Sequence, residues 1–246
     1  LLKSIESILR DKAVLMGLFL SMRFLQAVQE ARPVRVVLFG DSISEVGRSK
    51  TWNGGASAPE KNWGTLLKSK LESAVPGCSI LISHYGIGGQ NTYEGLGRLD
   101  GLENFQPDLV LVAFGANDCC HHFLIPEETH LALKTMLAEI TNRFGADVLV
   151  VGTAGDNPDK PFFRHLEATI EVQKKAAEEF GCPFVDARSA MLAATAHGAR
   201  WGDFHLADDN CHPNDQGHEI WADAVFKSLV TAKKNLVRYL KLTQNN

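Results

Sequence analysis

From Pro33 onward, short β-branched apolar runs alternate with longer segments of helical periodicity, and nothing else in the chain limits its fold so strongly. Strands are expected near 34–39, 79–83, 109–114, 148–151 and 184–187, with helices near 62–74, 91–104, 127–144, 163–180 and from 213 to about 240. The strand segments are almost continuously apolar, as parallel strands covered on both faces should be. Regular strand–helix alternation implies one doubly wound sheet with helices on both sides. No repeat and no Pro/Gly/Ser linker divides residues 32–246, so this stretch reads as one domain.

Residues 1–31 stand apart. Leu2, Ile5, Leu9, Ala13, Met16, Leu20, Phe24 and Ala27 recur in steps of three and four, the stripe of an amphipathic helix. Packing on the chain's own domain is the plain use of such a stripe; a contact that makes a homo-oligomer is the sharper one. "AVLMGLFLSM" superficially resembles a signal segment, but Arg23 interrupts the apolar run. No run of roughly 18 apolar residues suggests a membrane span. The net charge of −4 argues against general nucleic acid binding. The five scattered cysteines form no C-x-x-C pair, and free thiols lean towards a reducing, cytoplasmic setting.

In a doubly wound sheet, ligands bind beyond the carboxyl ends of the strands. The loops there are Gly40-Asp41-Ser42, "HYGIGGQNT" (84–92), "GANDCCHH" (115–122), "GDNPDKP" (155–161) and "HLADDNCHP" (205–213). Ser42 is a candidate nucleophile, since a hydroxyl beside a base can be activated; as plain structure it would cap a following helix. Asp209 and His212 can supply the base. At a spacing of three on a turn, the carboxylate can orient one ring nitrogen and leave the other for a hydroxyl. Pro213 then suits the first position of a helix. Asp208 is a neighbouring alternative to Asp209, and His218 reads as a helix-surface residue. The backbone at Gly88-Gly89 allows close approach, and Asn117 offers an amide that donates without taking a proton. Each has a turn-forming alternative; their convergence on one sheet edge is what carries weight.

These four segments resemble the motif blocks of the SGNH (GDSL) hydrolases, a family of serine esterases and lipases. Gly40-Asp41-Ser42-Ile43 matches the first block, Gly89 the second, Gly115-Ala116-Asn117-Asp118 the third and Asp209-Asn210-Cys211-His212 the last, in family order. The resemblance implies a flavodoxin-like three-layer α/β/α sandwich of about five parallel strands, with the N-terminal helix as an addition. It also implies a Ser42–His212–Asp209 triad, an oxyanion hole from the N–H groups of Ser42 and Gly89 with the Asn117 amide, and no cofactor or metal. His84 stands where family members often have asparagine, and Ile43 where the eponymous motif has leucine.

The run Cys119-Cys120-His121-His122 is rich in potential ligands, but adjacent residues rarely converge on one metal ion. Cys211 lies inside the catalytic turn, where oxidation or alkylation would block it if exposed. Loop 47–61 with Trp52, the 155–163 turn, Trp201 and Phe204 are candidates for the pocket walls. The expected activity is hydrolysis of carboxylic esters, short-chain or acetyl esters on small molecules or carbohydrates among them. Acyl transfer with the same triad and a non-catalytic carbohydrate- or partner-binding module are the alternatives.

Overall fold

A computed structural model describes residues 23, 26, 27, 30, 32–46, 61–74, 79–120, 124–196, 198–206 and 211–244, with side chains to residue 230. Five strands, β1 (Val34–Gly40), β2 (Ile80–Gly86), β3 (Leu109–Ala113), β4 (Asp147–Gly152) and β5 (Phe184–Asp186), form one sheet in the order β2-β1-β3-β4-β5. All neighbouring pairs are parallel, with Gly40 level with Gly86 on one side and Ala113 on the other. This is the flavodoxin-like order, whose reversal point falls between β1 and β3.

Alternation along each strand splits the core in two. Val36, Leu38, Leu109, Leu111, Leu149 and Val151 face a layer built from α1 (Trp63–Ala74), α6 (Ala187–Thr195) and α7 (Asp215–Gln244). Val37, Phe39, Val110, Val112, Val148 and Val150 face a second layer. Here lie a 3₁₀ segment (Leu99–Phe105), α4 (Pro126–Phe144) and α5 (Leu166–Phe180). Two short helices, α2 (Thr92–Leu96) and α3 (Ala116–Cys120), sit directly after β2 and β3. The result is a three-layer α/β/α sandwich.

Departures from the sequence expectation have local causes. The helix expected near 91–104 is broken into α2 and the 3₁₀ segment, because Gly95, Gly97 and Gly101 weaken helical propagation. Helix α6 is not among the expected helices; Asp186 caps it by accepting the Ser189 N–H at 2.8 Å. Of the N-terminal helix, Arg23, Gln26 and Ala27 are helical, Ala27 is fully buried in the core, and the Arg23 N–H donates to Asp147 Oδ2 at 3.1 Å. That end therefore packs on its own domain; most of residues 1–31, for which a homo-oligomer contact is the sharper expectation, lie outside the described residues. No described helix is long and apolar enough to cross a membrane.

One buried side chain joins the ends of β3 and β4. Gln173 on α5 donates from Nε2 to the Phe114 carbonyl at 2.7 Å and accepts the Thr153 N–H on Oε1 at 3.2 Å. Gln173→Leu would orphan two buried backbone groups at roughly 1–3 kcal/mol each. Urea unfolding should show a loss of about 2–6 kcal/mol; a loss below about 1 kcal/mol would mean those groups find other partners.

Candidate active site

At the carboxyl end of β1 the backbone turns sharply against its neighbours. A Cβ on Gly40 would lie 2.3 Å from the Ala113 carbonyl oxygen, and one on Gly86 would lie 2.5 Å from both the Asp41 oxygen and the Glu45 nitrogen. No side chain fits at either position. The Ser44 N–H donates to the Asp41 carbonyl at 3.1 Å and the Glu45 N–H to the Ser42 carbonyl at 3.3 Å, so residues 41–45 close a tight turn. Residues 43–46 are not helical. Ser42 therefore does not cap a helix directly after β1, and its hydroxyl is directed elsewhere.

That hydroxyl meets His212: Ser42 Oγ and His212 Nε2 are 2.9 Å apart, across 170 residues of sequence. With Nε2 unprotonated, the hydroxyl donates and the imidazole is placed to take its proton. The turn carrying His212 is fixed at both ends. Residues 205 and 213 pair as an antiparallel bridge, and the Leu206 N–H donates to the His212 carbonyl at 2.9 Å. Asn214 Oδ1 then accepts the N–H groups of Gln216 and Gly217 at 3.0 and 3.1 Å. Asn214 is thus the cap, and α7 begins at Asp215 rather than at Pro213, because the bridge holds Pro213 extended. Cys211 Sγ lies 3.4 Å from His212 Nδ1. Asp208 and Asp209 lie outside the described residues, as do His121, His122 and loop 47–60 with Trp52.

Gly89 follows β2 with φ of +82°, a left-handed conformation that glycine adopts without strain. A Cβ there would touch nothing within 4 Å, so conformation rather than crowding favours glycine. Glu45, from the turn at 41–45, accepts the Gly88 N–H on Oε2 at 2.7 Å and ties the first two loops together. Asn117 is buried on α3, where Nδ2 donates to the Gln90 carbonyl at 2.9 Å. The next residue, fully buried Asp118, accepts the Thr92 N–H at 3.1 Å and the Thr129 hydroxyl at 2.9 Å, pinning α3 to α2 and α4. His84, the departure in the second segment, lies 3.3 Å from the Ser44 carbonyl through Nδ1 and 3.4 Å from Thr65 Oγ1 through Nε2.

Other expectations change. His218 is 97% buried rather than on the helix surface: Nδ1 accepts the Trp63 N–H at 3.3 Å, and burial pushes its pKa down to about 4, so it stays neutral. Trp201 is a core residue stacked on His205 at 4.4 Å, not a pocket wall; Phe204 packs partly buried against the same core. Burial pushes the Cys119 thiol up to about 12, which makes it unreactive. Among the described residues no three His, Cys, Asp or Glu side chains stand together as a metal site. The 155–163 turn is strapped to α3: the buried Asp156 carboxylate accepts the N–H groups of Phe162 and Phe163, and the Arg164 N–H donates to the Cys119 carbonyl at 3.0 Å. It leaves Phe162 half exposed at this end of the sheet.

The family model for GDSL-like lipases and acylhydrolases matches residues 38–220. The chain belongs to that family. An arylesterase from Vibrio mimicus is 26% identical over 198 residues, which cover 80% of this chain and 88% of that one. An acetylxylan esterase from Geobacillus stearothermophilus superposes with a TM-score of 0.64 at 21% identity, over 79% of this chain and 93% of that one. A two-domain esterase active on acetylated mannans gives 0.66 at 20% identity, over 86% of this chain and 53% of that one. At these identities the structural likenesses carry the fold alone.

Asp41, beside Ser42, is buried, and its Oδ1 accepts the Ile43 N–H at 3.0 Å. Burial pushes its carboxyl up to about 7, against the pull of that N–H and of nearby His212. The folded protein thus keeps a proton that the unfolded chain has lost. The stability this contributes is complete below about pH 4 and is lost as pH rises towards 7. Asp41→Asn removes the titration. Urea unfolding across pH should show the variant gaining on the wild type between about pH 4 and 7 and then levelling. A difference independent of pH would contradict this origin.

Proposed function

We propose that this chain is a serine esterase that cleaves carboxylic esters through an acyl-serine intermediate. The observation that carries it is the 2.9 Å approach of Ser42 Oγ to His212 Nε2, at the sheet edge where Gly89 and Asn117 also gather. His212 takes the hydroxyl proton as Ser42 Oγ attacks the ester carbonyl. The developing oxyanion is received by the N–H groups of Ser42 and Gly89 and by the Asn117 amide, whose first N–H is held by Gln90. We assign Asp209 the part of orienting and stabilising the imidazolium, from its position three residues before His212. Collapse breaks the C–O bond, and His212 returns its proton to the departing alcohol. Water, deprotonated by His212, then attacks the acyl-serine and releases the acid. No step calls for a metal or cofactor.

We assign residues 32–246 to the hydrolase domain and residues 1–31 to an added amphipathic helix. For substrate, acetyl and other short acyl esters, sugar esters among them, are the proposal. The similarity to esterases of acetylated xylan and mannan supports it, and the polar, glycine-rich composition of loop 47–61 agrees with it.

Ser42→Ala should leave almost no turnover of a small aryl ester while circular dichroism stays native; near-normal hydrolysis would end the assignment. Asn117→Ala should lower kcat on the order of 10²–10³-fold. A change confined to KM would make Asn117 a substrate-binding residue instead.

A further inference from the structure

The three oxyanion donors proposed above come from three separate loops, and one side chain grips what supports each of them. Arg98 lies just after α2. Its Nη2 donates to the Gly40 carbonyl at 2.8 Å, Nη1 to the Tyr85 carbonyl at 2.8 Å, and Nε to Gln90 Oε1 at 2.5 Å. Gly40 stands two residues before Ser42. Gln90 directly follows Gly89, and its own carbonyl accepts the Asn117 amide at 2.9 Å. One guanidinium therefore ties together the strand end leading to the Ser42 N–H, the loop presenting the Gly89 N–H and the residue holding Asn117.

The arginine is itself fixed. Its guanidinium carbon lies 4.5 Å from the Phe39 ring centre and 4.4 Å from that of Tyr85, and the Tyr85 hydroxyl donates to the Arg98 carbonyl at 3.2 Å. The Glu45 carboxylate adds attraction. Three differently directed N–H groups serve three acceptors on a rigid plane. Lysine, a compact charge on a flexible stem, cannot reproduce that fork.

Resting on the esterase reading, we propose that Arg98 is a positioning residue for the oxyanion hole, acting through Gly40 and Gln90 without touching substrate. Because the donors must sit within hydrogen-bond range of a developing charge, small displacements cost rate rather than affinity. A strap that merely holds the strands together would instead lower stability and leave kcat alone.

The test measures kcat, KM and thermal unfolding on a small aryl ester for Arg98→Lys, Arg98→Met, Gln90→Leu and Gln90→Glu. Both Arg98 variants should lose roughly 10–10²-fold in kcat, with KM within about threefold of the wild type. Gln90→Leu should lose a smaller share, about 3–10-fold, and Gln90→Glu, which keeps an acceptor for Nε, should restore it. In an Asn117→Ala background, Arg98→Met should cost clearly less than it does alone, since donors of one hole act as a unit. Wild-type kcat in Arg98→Lys, full additivity with Asn117→Ala, or a lowered Tm with unchanged kcat would each overturn the proposal. Should Arg98→Met fail to fold, unchanged kcat in Gln90→Leu overturns it alone. Turnover persisting in Ser42→Ala would sink the esterase reading; a silent Ser42→Ala beside wild-type kcat in the Arg98 variants sinks only this one.

Discussion

The site depends on how closely the backbone packs where β1 ends. Gly40 stands level with Gly86 and Ala113, and neither glycine has room for a Cβ. Because the chain can pass so near its neighbours, the turn at 41–45 folds onto the sheet edge instead of looping away from it. Asp41 is then forced inward and Ser42 is left with its hydroxyl facing His212. A tight turn at the reversal point of a parallel sheet is thus both a packing solution and the means of presenting the proposed nucleophile.

That packing gathers polar groups that need balancing. The Gly40 carbonyl, which also accepts the Ile87 N–H at 3.1 Å, and the Tyr85 carbonyl lie near the ends of β1 and β2, and the carboxyls of Asp41, Glu45 and Asp118 crowd the same region. Backbone N–H groups answer the carboxyls, and Arg98 answers the carbonyls. Burial opposes charge at Asp41, whose pKa rises to about 7, so the inner acid carries a proton more readily than an exposed one would. On the proposed reading, this edge is where the N–H groups of Ser42 and Gly89 and the amide of Asn117 would receive an oxyanion.

Much of this was legible in the chain. The five strands fall close to their expected places because continuous β-branched runs between helical periods have few other uses. Ser42 and His212 could be paired from the sequence because four segments converge on one sheet edge and resemble the family's motif blocks in order, although each residue alone reads as a helix cap or a surface group. Arg98 and Gln173 could not. Both act on backbone carbonyls or N–H groups of distant segments, and side-chain identity does not reveal which backbone groups a fold brings within reach. His218 misled for a similar reason: its position on a helix suggests surface, and only packing against α1 shows it to be a buried acceptor. The interruption of the 91–104 helix, by contrast, was written in its glycines.

If Ser42 is the nucleophile proposed above, its hydroxyl should react covalently with an electrophilic phosphonate. The protein would be treated with a fluorophosphonate probe and the adduct located by peptide mass spectrometry. A single adduct on Ser42, formed rapidly in the wild type and lost in His212→Ala, is the result expected of a hydroxyl activated by that imidazole. Labelling that spares Ser42, or that proceeds equally fast without His212, would contradict it.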